Sequence, residues 1–470
     1  MPSPANSPAR LVTSSTPPPA RSGAPGMSRR EAIRLGLTAA AGGLLLPRIG
    51  FSDTIAPAAA VPPVSAAPAK SVIQIWLWGG PCHLDTFDPK PEAGPDYCGQ
   101  FTKPIETNVP GIRICEMLPL LAKQADKYSL IRSLSHGNNG HETAAYIVQT
   151  GNQPGGRDVY PGIGAVVSLF KGYNAGYRSL LPPYIVLTVP QGRFSESGFL
   201  GPRYKPFATG GDPAADRFIV EGIVSPNLTE ERLKERRRLL GEADTFGRTL
   251  RANDPAALKT FDQAGDEAYE MILGDTGKVF DLRQETDAVR LRYGRNTFGQ
   301  SCLMARRLVE RGVPYVTINS QGWDTHKQHF QAMRRKLPEL DQGVSALLDE
   351  LAQSGLLKST IVWVCGEFSR TPKVQVEAPW GGGRNHYGKV QSVLIAGGGL
   401  QGGRVVGSTD ARGENVAERP VHVADLLETI YGQLGIPSDA RLPHPEGLDM
   451  RVLPDAAGAP KRLGRLRELL

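Results

Sequence analysis

Cysteine is scarce in this sequence, and the spacing of the few cysteines excludes a zinc ribbon. The 470 residues contain five, at positions 82, 98, 115, 302 and 365, and no pair has the short spacing that such a site needs. An odd number leaves at least one thiol unpaired. Two alternatives stay open, a disulfide between Cys98 and Cys115 or five free thiols. Cys302 and Cys365 are predicted to be buried core thiols.

Two further absences narrow the class of protein. The longest apolar run near the N-terminus, residues 35–46, is too short to span a bilayer well, so no stable transmembrane span is predicted. Basic runs such as residues 234–238 contain no alternating aromatic residues, which argues against a nucleic-acid partner. The net charge is a modest +7, with 21% charged and 40% hydrophobic residues. These values predict a globular, soluble protein whose basic helix face is solvated, with some attraction for anionic substrates.

The first 70 residues are predicted to be an N-terminal leader and linker rather than part of the fold. Residues 1–26 are rich in Pro, Ser and Ala, and either are disordered or precede a true start at Met27. Arg29 and Arg30 then precede the weak apolar run, and the alanines at 58–60 can hold a cleavage site. Adjacent arginines before such a run are typical of a twin-arginine signal. We therefore expect export by the Tat machinery to the periplasm or the exterior, with metal acquired before export.

Strand-like and helix-like segments alternate from residue 71 to about residue 455. Apolar runs predict strands at residues 72–78, 184–189, 313–318, 360–365 and 392–396. Apolar periodicity predicts helices at 159–170, 297–311 and 421–434, and a long helix through 337–351. Pro338 either lies in the first turn of that long helix or marks a kink if the helix begins earlier. Strands separated by helices predict an α/β fold with a mostly parallel sheet and helices on both faces.

Two segments depart from this alternation. Residues 212–292 are predicted to be a helical insertion or cap, with helix starts at Thr229 and at Asp254-Pro255. Residues 456–470 form a basic C-terminal tail. The domain proper is therefore predicted to span residues 71–455.

Ligand-type side chains follow two of the predicted strands directly. Asp324 and His326 come after the strand at 313–318, and Glu367 comes after the strand at 360–365. In open α/β sheets, sites form in the crevice outside the carboxyl ends of the strands, and carboxylates and imidazoles are metal ligands. The alternative is that Asp324 caps a helix and the histidine is merely solvated.

Two other places carry similar side chains. Asp85 follows the first strand through Gly79-Gly80, where its alternative role is that of a turn carboxylate. His136 and His141 flank a glycine-rich turn, whose asparagines and hydroxyls can instead cap a helix.

Arginines and a last histidine complete the candidate site. Arg370 follows Glu367, and Arg384 and His386 lie in a glycine-rich loop. The two arginines can grip an anion bidentately, although Arg370 can instead pair with Glu367. The set predicts one metallohydrolase-like centre. Its predicted ligands to a divalent ion are Asp85, Asp324, His326, Glu367 and His386, and its predicted catalytic residues are His136, His141, Arg370 and Arg384.

The ordered segments GGPCHLDTFDPKP, SHGNNGHETA, GWDTH, GEFSRTP and GRNHY, behind a twin-arginine leader, resemble an exported bacterial family. It is known as domain of unknown function 1501 and is grouped with the alkaline phosphatase and sulfatase superfamily. The resemblance covers about residues 71–450. It implies a three-layer α/β sandwich with a one- or two-metal site for phosphate or sulfate esters. The resemblance also implies the metal ligands, which are matched in order by Asp85, Asp324 with His326, Glu367 and His386. The implied divalent ion is Zn, Mg, Mn or Ca.

The sequence departs from the superfamily pattern at several positions. Asn385 stands where Asp is usual, and Glu367 lacks the His that follows it in phosphatases. The sulfatase signature Cys-x-Pro/Ala-x-Arg is missing, since Cys302 to Arg306 keeps only its outer residues, within a predicted helix. No Ser or Thr occupies a clear nucleophile position, so Ser135, Thr143 and a metal-bound hydroxide stay open.

Two classes of function follow from these observations. The first is an exported metal-dependent hydrolase of anionic sulfate or phosphate esters, including those of sulfated polysaccharide. The second is a non-catalytic binding or structural protein on a degraded hydrolase scaffold.

Overall fold

The computed structural model describes residues 67–173, 175–192, 196–216, 218–220, 230–244, 270, 275–454 and 462–470. The predicted signal and the predicted helix starts at 229 and 254–255 lie outside these residues. Within the described ranges, no helix is both long enough and apolar enough to cross a membrane.

A nine-stranded sheet forms the centre of the described part of the chain. Its strands are β1 Ser71–Leu77, β2 Tyr128–Ser135, β3 Tyr184–Leu187, β4 Phe207–Ala208, β5 Tyr315–Ser320, β6 Thr360–Cys365, β7 Gln391–Gly397, β8 Val405–Val406 and β9 Val421–His422. The spatial order is β8-β2-β7-β6-β1-β5-β3-β4, and β9 also pairs with β2. β7 is antiparallel to both its neighbours, while the other pairings are parallel.

Helices cover both faces of this sheet. The helices of the described residues are α1 Pro95–Cys98, α2 Pro119–Ala122, α3 His141–Thr150, α4 Ile163–Lys171, α5 Glu230–Ala243, α6 Asp287–Tyr293, α7 Thr297–Glu310, α8 His329–Gln353 and α9 Val423–Gln433. Short 3-10 helices lie at Pro91–Ala93, Ala125–Lys127, Gly198–Leu200, Pro202–Tyr204, Asp275–Phe280, Leu282–Gln284, Leu356–Ser359 and Arg467–Leu469. Small two-stranded ladders join Ile105–Glu106 to Arg113–Ile114, Ser369–Arg370 to His386–Tyr387, Ser408–Thr409 to Val416–Glu418, and Arg441–Leu442 to Met450–Arg451.

Alternation along β1 separates two apolar layers. Ile73, Ile75 and Leu77 pack into one buried layer, and Val72 and Trp76 pack into the other. The first layer contains the apolar faces of α2, α7 and α8, and the second contains those of α3, α4 and α9. The predicted α/β fold, with a mostly parallel sheet between two helical layers, is therefore confirmed.

Four local features complete the comparison with the sequence-based expectations. β2 was not predicted as a strand. Of the two alternatives for Pro338, the structure shows the second, because helix α8 begins earlier, at His329, and Pro338 lies inside it. The segment predicted as a helix from residue 421 opens with the short strand β9. The last residues of the predicted tail belong to the fold, because Leu466 and Leu469 are fully buried in the second apolar layer.

Candidate metal centre

One edge of the sheet collects the loops that carry the polar motifs. The carboxyl ends of the parallel strands β1, β2, β5 and β6 meet there. Asp324 and His326 follow β5, Glu367 follows β6, and His141 follows β2. β7 runs in the opposite direction, so its amino end lies at the same edge and the preceding His386 reaches that edge too. The antiparallel strand thus lets a residue before a strand join residues that come after strands.

Asp324 is the centre of a cluster of three imidazoles. Its Oδ1 lies 3.0 Å from Nε2 of His326 and 3.2 Å from Nε2 of His386. Its Oδ2 lies 3.3 Å from Nε2 of His141. The two Nε2 atoms of His326 and His386 are 2.9 Å apart. The Asp324 side chain is 41% exposed, so the cluster is open to solvent.

Each imidazole has its other nitrogen bonded to an oxygen acceptor. Nδ1 of His326 lies 2.9 Å from Oδ1 of Asn385, and Nδ1 of His386 lies 2.8 Å from the carbonyl oxygen of Asn139. Nδ1 of His141 lies 2.6 Å from Oε1 of Glu367. Because these oxygens accept, Nδ1 carries the hydrogen in each neutral ring. The lone pair of every Nε2 then faces Asp324.

This donor set fits a divalent metal ion. In the neutral rings no hydrogen lies between the Nε2 atoms and the carboxylate, so their close approach needs a cation or an extra proton between them. Two atoms bound at about 2.1 Å to one ion are about 3.0 to 3.4 Å apart at bond angles of 90 to 109°. The distances from Asp324 to the three rings, and that between His326 and His386, are close to these values. The ligand atoms of His141, Asp324 and His386 all lie within 4.8 Å of one another. Three nitrogens and one carboxylate suit Zn²⁺ better than Mg²⁺ or Ca²⁺, which prefer oxygen.

Neighbouring groups set the charges of the cluster. Burial opposes ionisation of Asp324, but the guanidinium of Arg370, together with His326 and His141, lowers the pKa of that carboxyl below its ordinary value. The hydrogen bond from His141 to Glu367 raises the pKa of His141 against the effect of burial. Burial lowers the pKa of His386. At neutral pH the cluster therefore presents an ionised carboxylate and a neutral His386.

Glycines allow the loops to approach one another at this edge. Gly79 has a φ of 110°, and a Cβ there would lie 2.2 Å from the backbone nitrogen of Asp324. A Cβ on Gly383 would lie 1.7 Å from the carbonyl oxygen of His326. No side chain fits either gap, so both glycines are required for the close contact that holds the 323–326 loop.

Glu367 occupies a different position from the predicted one. It is fully buried, and its Oε1 accepts hydrogen bonds from the backbone N–H of Gly79, at 2.9 Å, and from Nδ1 of His141. It stands behind His141 as the carboxylate of a carboxylate–histidine pair. Oε2 is buried and has no hydrogen-bond partner among the described residues. We therefore assign Glu367 to orienting His141 rather than to direct ligation.

Asp85 belongs to a separate buried cluster. Its Oδ2 lies 2.8 Å from Nε of Arg384 and 2.8 Å from Nε2 of His329, and its Oδ1 lies 3.1 Å from Nη2 of Arg384. Both oxygens are thus engaged in a site that is 1% exposed. The expectation that Asp85 joins the ligands is corrected, because Arg384 supplies the positive charge that a metal would otherwise provide.

The two arginines are structural in this arrangement. Arg384 donates to the carbonyl oxygens of Thr371 and Tyr97, and its side chain has no exposed surface. Arg370 is equally buried and donates to Oδ1 of Asp324 and to backbone carbonyls of the 79–80 turn. Neither guanidinium is presented to solvent, so the expected bidentate grip on an anion does not match their positions. Arg370 pairs with Asp324 rather than with Glu367.

His136 and the hydroxyls of its turn support the loop. Nε2 of His136 donates to the carbonyl oxygen of Glu367 at 2.8 Å, and burial lowers the pKa of His136 to about 4. Thr143 donates to Oδ1 of Asn138 in the turn that starts α3. The predicted catalytic role of His136 therefore does not match its buried position, and Thr143 stabilises the turn, although no described side chain caps the start of α3.

Sequence reasoning missed several partners of the cluster. Asn385 orients His326, and Asn139 orients His386 through its carbonyl oxygen. Phe368 stacks on His386 at 4.5 Å between ring centroids, and Trp78 stacks on His141 at 5.8 Å. The only sequence signal for the asparagines was their position within the quoted motifs. A contact through a backbone carbonyl oxygen can be made by any residue type, so it leaves no preference in the sequence.

A carboxylate–histidine centre at the carboxyl edge of a mostly parallel sheet defines an α/β protein with a candidate metal centre. Residues 69–458 match the family described as protein of unknown function (DUF1501), and the chain belongs to that family. The resemblance drawn from the motifs is thereby confirmed. No curated protein matches the sequence.

Several solved structures are similar at low identity. A sulfatase from Pseudoalteromonas sp. shares 11% identity over 79% of this chain and 68% of its own, with a TM-score of 0.35. A lipoteichoic acid synthase from Listeria monocytogenes shares 10% identity over 83% of this chain and 76% of its own, with a TM-score of 0.35. An alkaline phosphatase superfamily protein from Vibrio parahaemolyticus shares 11% identity over 83% of this chain and 72% of its own, with a TM-score of 0.35.

Proposed function

We propose that this protein is an exported, metal-dependent hydrolase of sulfate or phosphate esters. The observation that carries the proposal is the convergence of three Nε2 lone pairs on the carboxylate of Asp324. His141, His326, His386 and Asp324 would hold the ion, with Zn²⁺ the best match to the donors. When bound, such an ion polarises an ester oxygen and lowers the pKa of water.

The chain's own residues favour water over a side chain as the attacking group. The hydroxyl of Thr143 is engaged in its turn, and burial raises the pKa of the Cys82 thiol to about 12. A fully buried thiol with such a pKa is not a nucleophile at neutral pH. Glu367 holds the proton of His141 on Nδ1, which keeps Nε2 free. Phe368 and Trp78 shield the rings from part of the solvent.

A second candidate function has one observation in its favour. Both arginines expected to contact an anionic ester are buried and bonded within the protein. A protein that binds metal without turning over an ester would show this arrangement. We keep this candidate, a binding protein on a hydrolase scaffold, as the outcome that the following experiment distinguishes.

We expect the purified chain to contain about one divalent ion per molecule and to hydrolyse an aryl sulfate or an aryl phosphate. A chelator should remove both properties, and Zn²⁺ should restore them. Ser135→Ala and Thr143→Ala should keep most of the turnover, because water is the proposed nucleophile. Metal content and turnover are measured on the same preparations. Bound metal without turnover would favour the binding protein, and loss of turnover in Ser135→Ala with metal retained would place the nucleophile on the chain.

Export is part of the proposal and rests on Arg29 and Arg30 before the weak apolar run. Replacing both with Lys keeps the charge but removes the guanidinium pair. We expect folded precursor to accumulate in the cytoplasm, as measured by fractionation and immunoblotting. Lys70→Arg, beyond the predicted cleavage site at residues 58–60, is the control. Normal export of the double variant would show that the leader is of another kind.

A further inference from the structure

Two short segments carry three of the four candidate ligands. Asp324 and His326 flank Thr325 in one segment, and Arg384 precedes Asn385 and His386 in the other. Along the first segment the side chains alternate in exposure. Asp324 and His326 have side chains 41% and 34% exposed, whereas Thr325 is 6% exposed. The inward residue of each segment, Thr325 or Arg384, enters the buried cluster around Asp85.

A chain of hydrogen bonds joins the first segment to Asp85. Oγ1 of Thr325 lies 2.5 Å from Nδ1 of His329, and Nε2 of His329 lies 2.8 Å from Oδ2 of Asp85. Since the carboxylate accepts, Nε2 carries the hydrogen and Nδ1 accepts from the threonine hydroxyl. His329 and Asp85 are each 1% exposed, so water does not compete for these bonds.

The second segment reaches the same carboxylate directly. The guanidinium of Arg384 binds both oxygens of Asp85, and the backbone N–H of Arg384 donates to the carbonyl oxygen of Thr325 at 3.2 Å. The contacts therefore close a ring through Thr325, His329, Asp85 and Arg384. The residue next to Arg384, Asn385, then orients His326 in the first segment.

We propose that Asp85 is the shared anchor of the metal centre, a positioning residue that aligns both ligand segments through Thr325–His329 and through Arg384. The inference rests on the proposed metal site. Metal binding requires ligand atoms to be placed within a few tenths of an ångström, and buried partners behind the ligands provide that precision. If these residues contributed only to stability, apolar residues in their place would stabilise the core equally well, because burying charges costs free energy.

The test removes the hydroxyl of Thr325 from this closed set of contacts while keeping the shape of the side chain. Thr325→Val should weaken Zn²⁺ binding about tenfold, within the range known for residues behind metal ligands, while Thr325→Ser should bind like the unaltered protein. Zn²⁺ affinity is measured on the full chain by competition with a chelator. Thr429→Val is the control, since Thr429 is also buried and bonds only within α9 and to the backbone of Leu466.

Two further measurements separate alignment from folding and from the metal site itself. Urea unfolding should show equal losses of stability in Thr325→Val and Thr429→Val, so that a lower affinity is not a folding effect. In the metal-free protein, imidazole NMR signals of His326 and His386 should broaden in Thr325→Val but not in Thr325→Ser. If the unaltered protein bound no Zn²⁺, the proposed function would fail, but the NMR signals would still test whether Asp85 aligns the two ligand segments. Unchanged affinity and unchanged NMR signals in Thr325→Val would overturn the inference that Asp85 is the shared anchor.

Asp85→Asn extends the same test. It keeps the shape of the side chain but leaves the buried guanidinium of Arg384 without its counter-charge. We expect a larger loss of Zn²⁺ affinity than in Thr325→Val, together with a loss of stability. If Asp85→Asn does not fold, the threonine variants decide the inference. A folded Asp85→Asn variant with unchanged affinity would contradict it.

Discussion

Asp324→Ala should lose its bound metal, and its turnover should fall to that of the chelated protein. The reason is that this carboxylate alone contacts all three candidate imidazoles, through Oδ1 to His326 and His386 and through Oδ2 to His141. Without it, the remaining nitrogens lack the negative charge that offsets a divalent ion. The measurements are metal per molecule after dialysis and kcat/KM on an aryl ester.

The matched controls separate loss of a ligand from loss of the fold. Asp439→Ala removes an exposed carboxylate elsewhere and should change neither metal content nor turnover. Asp324→Asn keeps an oxygen for Arg370 and should bind metal weakly. Arg370 is buried and would lose its counter-charge, but it retains its backbone carbonyl partners, so we expect Asp324→Ala to cost about 1–3 kcal/mol in unfolding free energy and still to fold. A stoichiometric ion in folded Asp324→Ala would place the metal elsewhere.

The fold was predictable where the sequence pattern has a single physical cause. β1, β5 and β6 are buried on both faces, which produces continuous apolar runs such as VIQIWL. β2 was missed because YSLIRSLS interrupts its apolar residues with Ser and Arg, although Arg132 is satisfied by backbone carbonyls. The reversed direction of β7 has no signature in its residues, since direction is set by the chain that connects it to β6.

The candidate site shows where sequence reasoning stops. Asp324, His326 and His386 were expected together because each lies at the end of a strand or in an adjoining loop, and the structure brings them together. Asp85 has the same sequence context, yet it pairs with Arg384, a residue 299 positions away. Each of these two carboxylates contacts a buried guanidinium, but Asp324 is 41% exposed and contacts three imidazoles, whereas Asp85 is 1% exposed. Local sequence does not distinguish the two cases. Only the three-dimensional partner decides between them.

Glu367→Gln should weaken metal binding about a hundredfold at neutral pH, at the upper end of the effects known for partners of metal-bound histidines. The carboxylate bonds Nδ1 of His141 at 2.6 Å, and its charge makes Nε2 of that ring a stronger ligand. The amide keeps an acceptor for the N–H of Gly79 and for His141 but removes the charge. Glu377→Gln, at an exposed carboxylate, is the control. Affinity is measured by chelator competition, with unfolding curves to verify folding.

The same variant predicts a change in pH dependence with a definite sign. The hydrogen bond to Glu367 raises the pKa of His141 above its ordinary value. A protonated His141 has no free Nε2 lone pair, so the Zn²⁺ affinity begins to fall as the pH drops below that raised pKa. Glu367→Gln lowers the pKa of His141, so the pH at which the affinity begins to fall should move to a lower value, even though the affinity at neutral pH is weaker. A general loss of structure would weaken binding without moving this onset to lower pH. An onset that does not move would show that His141 is not among the ligands.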